Sequence, residues 1–165
     1  MFSSRTTTMV LVLILLTLGG TLTARDQAAE VGMDVGINTG SGAHIPLACR
    51  GGFFPSKAFA LEFKAGLSSL EGYGTNVYGV GIGIAAHGHT IETPGQTRAF
   101  FGPALNIAFL KHNSAFGIGG DAGLKVPLSD RFSARFQLNV SRWFETEGRV
   151  FTQLTLSAGL SFFTK

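Results

Sequence analysis

The 165-residue sequence has one cysteine, one tryptophan and two tyrosines. With Cys49 alone, no intramolecular disulfide can form and no thiolate metal site can be built. Charge is also sparse, at 14% of residues, and the net charge of +3 has no run of Lys or Arg behind it. A nucleic-acid footprint needs a basic cluster, so nucleic acid is not an expected partner. Helix signals are missing too: there is no sustained 3.6-residue stripe and no capping box. Past residue 24 no apolar run approaches the ~20 residues a spanning helix needs. Hydrophobic residues nevertheless make up 45% of the chain, with 15 Phe and 23 Gly. That is too apolar for disorder and too glycine-rich for a helical bundle.

The first 24 residues read as a leader. "MFSSRTTT" carries Arg5, "MVLVLILLTL" (Met9 to Leu18) is an apolar run of signal-peptide length, and "GGTLTA" supplies small residues up to Ala24. The stretch Thr6 to Ala24 is uncharged but too poor in strongly apolar residues to span a bilayer. The expectation is a cleaved signal peptide, 1–24, and one exported domain, 25–165.

In that domain the side chains alternate. Eight strands are expected, near 30–38, 44–54, 58–68, 76–87, 98–110, 115–127, 131–143 and 150–163. Val31, Met33, Val35 and Ile37 share one face of the first, and Gly32, Asp34, Gly36 and Asn38 the other. In the seventh, Phe132, Phe136, Leu138 and Val140 oppose Arg131, Arg135 and Gln137. Period-two patterning marks strands with two unlike faces. Every strand charge except Arg142 falls on the polar face, which is otherwise rich in Gly, Ala and Ser.

A charge-free apolar face either fills a soluble core or meets lipid. Small residues on the polar face favour lipid outside, because a solvated face has no need of them and a narrow eight-stranded lumen does. Aromatics cluster at strand ends, as two membrane interfaces favour. Phe53, Phe54, Phe59, Phe100, Phe101, Phe132, Phe162 and Phe163 fall at the end expected to be periplasmic. Tyr73, Tyr78, Phe109, Phe116, Trp143, Phe144 and Phe151 fall at the other. The fold class expected is all-β: an eight-stranded antiparallel up-and-down transmembrane β-barrel.

"GLKVPLSDRFSARFQLNVSRWF", "IPLACRGGFFPSKAFALEFKAG" and "LSAGLSFF" resemble hairpins and the closing strand of the small outer-membrane β-barrels of Gram-negative bacteria, the group that includes the OmpA transmembrane domain. The resemblance covers roughly Glu30 to Phe163. It implies an outer-membrane location, contact with outer-membrane lipid and lipopolysaccharide, and handling by periplasmic chaperones and the barrel-assembly machinery. It also implies an assembly signal around Gly159, Phe162 and Phe163.

Several constellations invite chemistry. Asp34, Arg50, Glu62, Lys64, Arg98, Asp121, Lys125, Arg131 and Arg135 are the expected lumen charges, six basic and three acidic. They read as an ion-pair plug rather than an ion path, with an Arg135–Asp121 bridge between the sixth and seventh strands and water around the basic surplus. His87, His89 and Glu92 read as part of a polar turn, not a metal site. His112 and Ser114 are the one nucleophile-and-base spacing, with Glu145 or Glu147 as orienting carboxylate; outer-membrane lipid A deacylases, also eight-stranded barrels, use a His-x-Ser pair. The glycines of "GVGIG" and "GIGGDAG" precede no helix and so form no phosphate loop.

The expected function is a non-enzymatic envelope barrel with a structural, adhesive or envelope-interaction role and no cofactor. The alternatives are a lipid-modifying hydrolase on the same barrel and a narrow pore or small-ligand carrier. An extracellular ligand would bind at outer loops that carry no motif.

Overall fold

A computed structural model of the chain describes residues 29–39, 47–56, 58–72, 75–90, 97–110, 114–146 and 148–164. The expected leader, Tyr73, the side chain of Tyr78, Glu92, His112 and Glu147 lie outside the described residues.

The eight strands are β1 (Ala29–Thr39), β2 (Leu47–Ser56), β3 (Phe59–Gly72), β4 (Thr75–His89), β5 (Arg98–Leu110), β6 (Ser114–Pro127), β7 (Phe132–Glu145) and β8 (Val150–Thr164). Each pairs antiparallel with its sequence neighbour, and β1 pairs with β8 from Ala29↔Thr164 to Thr39↔Leu154. Closure leaves no strand edge unpaired, which is the condition for a barrel to sit in a medium without water. The end at Ala29 and Thr164 is called the terminal end below, and the end at Thr39 and Val150 the far end.

Two prolines fit at irregularities. The β4–β5 ladder is interrupted between Ala85↔Ala104 and Gly88↔Phe101, where Pro103 has no N–H to offer. Gly102 beside it lets the Ala86 carbonyl approach where any Cβ would collide. Pro55 sits where the β2–β3 register slips between Phe53 and Ser56.

Alternation sorts the faces as expected on most strands. Outward are Met33, Phe101 and Leu160, each more than half exposed, with Phe116, Ile118, Phe136, Leu138 and Val140. Inward and buried are Glu30, Asp34, Arg50, Glu62, His87, Asp121, Lys125 and Arg135. The distribution is inverted relative to a protein folded in water, whose apolar side chains fill the interior.

The structure corrects four expectations. Phe54, Phe100 and Trp143 do not belong to outward belts but are buried, on the inward parity of their strands; Phe151 stacks on Trp143 and Phe163 packs against Phe54. A barrel this narrow needs bulk at both ends of its lumen, and strand parity overrides the preference of aromatics for an interface. The outward aromatics that remain include Phe59, Phe101 and Phe132 at the terminal end and Phe109, Phe116 and Phe144 at the far end. His87 and His89 are not turn residues: β4 runs through both, and both are buried. Arg131 is exposed in the 128–131 turn rather than in the lumen. There the Ser129 hydroxyl accepts hydrogen bonds from the Arg131 and Phe132 amides and closes the turn before β7 begins. Lys125 pairs with Arg135 and Asp121 with Asn139, so the expected Arg135–Asp121 bridge is not formed.

Candidate functional site

The lumen has two unlike halves. In the terminal half, four carboxylates (Glu30, Asp34, Glu62, Asp121) meet four cations (Arg50, Lys64, Lys125, Arg135). Register alone would be unfavourable here, because it places Arg50 opposite Lys64 and Lys125 opposite Arg135. Like charges facing across a ladder repel. The cations therefore pair with carboxylates off these rungs, on a neighbouring strand or across the lumen.

Arg50 on β2 holds both Glu30 and Asp34 on β1, with Nε 3.0 Å from Asp34 Oδ2, and also donates to Ser161 on β8 at 3.0 Å. Lys125 on β6 reaches Glu30 at 2.5 Å and Glu62 on β3 at 3.3 Å. Arg135 on β7 donates to Glu62 at 2.8 Å and, through Nε and Nη2, to Gln137 Oε1. Lys64 on β3 meets Asp121 on β6 at 2.7 Å. His87 joins the two groups from β4: Nδ1 is 3.1 Å from Glu62 Oε1 and Nε2 is 3.0 Å from Asp121 Oδ2. Asn139 donates to Asp121 at 2.6 Å.

A cap of rings lies against this cluster. Arg135 stacks 4.1 Å from the Phe100 centroid, and Lys125 lies 5.1 Å from Phe54 and 5.4 Å from Phe100. His89 packs against both phenylalanines. Cation–π contact of this kind strengthens when water is excluded.

Glycine makes the room. Arg50 faces Gly32, Asp34 faces Gly159, Phe100 faces Gly123, and Trp143 faces Gly117, each across one ladder rung. A Cβ on any of these glycines would strike the side chain opposite. Gly159, expected to serve an assembly signal, thus has a packing duty beside Asp34.

The far half carries no unpaired charge among the described residues. It holds a partly open cavity of about 160 Å³ lined by small residues such as Gly36, Gly66 and Gly83, by amides such as Asn38, Asn106 and Gln153, by aliphatic Leu67 and Ile82, and by Trp143. Asp34 and Lys64 form its border with the charged half, and both are already paired.

Of the nine expected lumen charges, the structure brings seven together. Arg131 lies outside, and half-buried Arg98 has no ion-pair partner among the described residues. Two members were missed. Glu30 has the parity of Asp34 but opens the first expected strand, and His87 closes the fourth expected strand on its polar face yet reads with the turn that follows. With Glu30 included and Arg131 and Arg98 outside, the expected basic surplus disappears. His87 and His89 gather no metal-binding cluster, none being present among the described residues. The hydroxyl of Ser114 lies 3.0 Å from that of Thr146, and Glu145 accepts and donates backbone bonds in the 145–149 turn.

No protein-family model matches the chain, and no curated sequence is similar to it. Solved structures do match in fold. The outer membrane protein OprG from Pseudomonas aeruginosa superposes with a TM-score of 0.53 at 8% identity, over 84% of this chain and 95% of that one. Neisserial surface protein A gives 0.51 at 16% identity, over 82% and 96%. Ail, the attachment invasion locus protein of Yersinia pestis, gives 0.50 at 9%, over 84% and 97%. Strand number, closure and connectivity agree with these matches, and the chain has the fold of the small outer-membrane β-barrels.

Proposed function

We propose that the protein is an outer-membrane barrel, exported by its N-terminal leader, that is closed by charge and acts in envelope structure, adhesion or surface interaction without catalysing a reaction. The observation that carries this is the inversion of its faces. Phe101, Leu67, Leu160 and Met33 stand 56–65% exposed on the outside, while Glu30, Glu62 and Arg135 are 0–1% exposed inside. In water such a surface would aggregate; in a bilayer it is the stable arrangement. Outer-membrane lipid and lipopolysaccharide are then its immediate partners, with the assembly machinery and periplasmic chaperones needed to deliver it.

A terminal half filled by ion pairs that lie against the rings of Phe54 and Phe100 supports a role other than that of a pore. The hydrolase alternative rests on the spacing of His112 and Ser114, and the Ser114 hydroxyl is engaged with Thr146. The test is fractionation at native expression. The protein should pellet with outer membranes and resist carbonate extraction; recovery in the soluble periplasm would overturn the reading.

A further inference from the structure

We infer that the far half of the lumen is a binding cup for one small, neutral, polyhydroxylated molecule of about the size of a single sugar ring. This goes beyond the envelope role and requires only that the barrel be folded.

The size follows from the cavity. At about 160 Å³, it matches the ~150 Å³ that admits one six-membered ring in an apolar protein interior. The polarity follows from its lining. An apolar cavity stays dry and takes hydrocarbons; here a largely apolar wall is set with a few side-chain amides and hydroxyls, among them Asn38, Asn106, Gln153 and Thr155, each able to donate or accept, the mixture of apolar wall and sparse polar groups that suits a small ligand. A hydroxyl also does both, so a polyol matches such a wall without a fixed pattern of donors.

Neutrality follows from the border. Asp34 and Lys64 are the charged groups that line the cavity. Asp34 is bound by Arg50 through two nitrogens, and Lys64 by Asp121. A charged ligand would have to break one of these pairs and leave a buried charge alone.

Two side chains point to a ligand directly. Gln153 on β8 is 8% exposed, lines the cavity, and has no hydrogen-bond partner among the described residues. The indole N–H of Trp143, which also lines the cavity, is buried and has no hydrogen-bond partner among them either, and a buried donor without one is unusual. The neighbour of Gln153 on the same face, Thr155, donates to Asn38 at 2.6 Å and leaves the Asn38 amide nitrogen available. Across the lumen, Gly83 leaves space that the Asn106 amide oxygen partly enters. Trp143, packed with Phe151 and seated on Gly117, is held in place as part of the cavity wall. The charged cluster is its floor, so a bound molecule is held rather than passed on.

Trp143 is the sole tryptophan of the chain, and its emission therefore reports on the cup. The protein, refolded in a detergent without a sugar headgroup, is titrated with glucose, galactose and myo-inositol, and separately with glucuronate, glucosamine and glycine. At least one neutral polyol should give a saturable change in Trp143 emission, with a midpoint on the order of millimolar for a ligand of this size. The charged compounds should bind at least about tenfold more weakly, as should the neutral one to Gln153→Leu, since one buried hydrogen bond is worth about that factor. Heat-modifiable gel migration verifies that each variant is folded, and Thr155→Val replaces Gln153→Leu if that variant is not. No saturable change with any neutral polyol would overturn the inference, and so would equal binding of the charged compounds or unchanged affinity in a folded variant.

Discussion

The two halves of the lumen share one wall of alternating strands but solve the problem of an interior in opposite ways. The terminal half fills itself with long charged side chains, several seated over glycines and paired with opposite charges, on the neighbouring strand for Arg50 and across the lumen for Lys64, Lys125 and Arg135. The far half is left open between short neutral ones. Charge fills space only when its partners are complete, because a single missing member leaves an ion stranded away from water. A neutral amide without a partner costs less than a stranded ion, so a wall made of amides can be left partly unsatisfied and await a ligand. Stability should therefore be concentrated in the terminal half and adaptability in the far half.

The sharpest way to break that comparison is Arg135→Met. The change leaves Glu62 with Lys125 and His87 only, and it removes the group stacked on Phe100. It should cost about 3–5 kcal/mol, read as a lowered urea midpoint for unfolding from lipid vesicles. A cost below about 1 kcal/mol would mean that the cluster fills space without holding the barrel together. A double-mutant cycle with Glu62→Leu should recover part of the loss.

Moving a cation to the other side of the wall tests the same idea from outside. Leu138 points outward from β7, one residue from inward Gln137. Leu138→Arg has no carboxylate to meet and should cost about 2–4 kcal/mol in a bilayer, by the same unfolding measurement. Gln137→Arg is no neutral control, because Gln137 already accepts two bonds from Arg135.

Identical glycine substitutions in the two halves sharpen the contrast further. In Gly123→Ala the new methyl would meet the Phe136 carbonyl and the Phe100 ring, both fixed, and should cost about 1–3 kcal/mol. In Gly83→Ala it would meet chiefly the end of the Asn106 side chain, which can turn into the cavity. That change should cost less than about 1 kcal/mol. Smallest of all, Gln153→Ala removes no protein hydrogen bond and should shift stability by less than about 1 kcal/mol, while weakening any ligand in the cup. Equal costs across the two halves in these pairs would show that the lumen is uniform.

Most of this wall could be read in the alternation of residues. The face carrying Asp34, Arg50, Glu62, Asp121 and Arg135 follows from parity alone. The misreadings occurred where a second rule competed with parity. Trp143 and Phe100 have inward parity, yet aromatics at strand ends invite assignment to a membrane interface. Arg131 has the parity of Arg135, yet Ser129 ends the turn only after it. His87 and His89 alternate with glycine as the rest of β4 does, and their polarity disguised a strand as a turn. The choice of partners within the cluster was not legible. Hairpin register sets like charges opposite one another, and the true partnerships, such as Glu30 with Lys125 and Lys64 with Asp121, join strands that meet only when the barrel closes.

The central claim is that the terminal half closes the lumen, and conductance tests it most directly. Purified protein in planar bilayers should show no steady open level of porin size, because Glu30, Arg50, Glu62, His87, Lys125 and Arg135 together span the barrel from wall to wall beneath Phe54 and Phe100. Brief, small openings accord with transient breaking of single pairs. A stable, large open level in the unaltered protein would contradict the account, since it would require a continuous water-filled path through the half of the lumen that the ion pairs are held to seal.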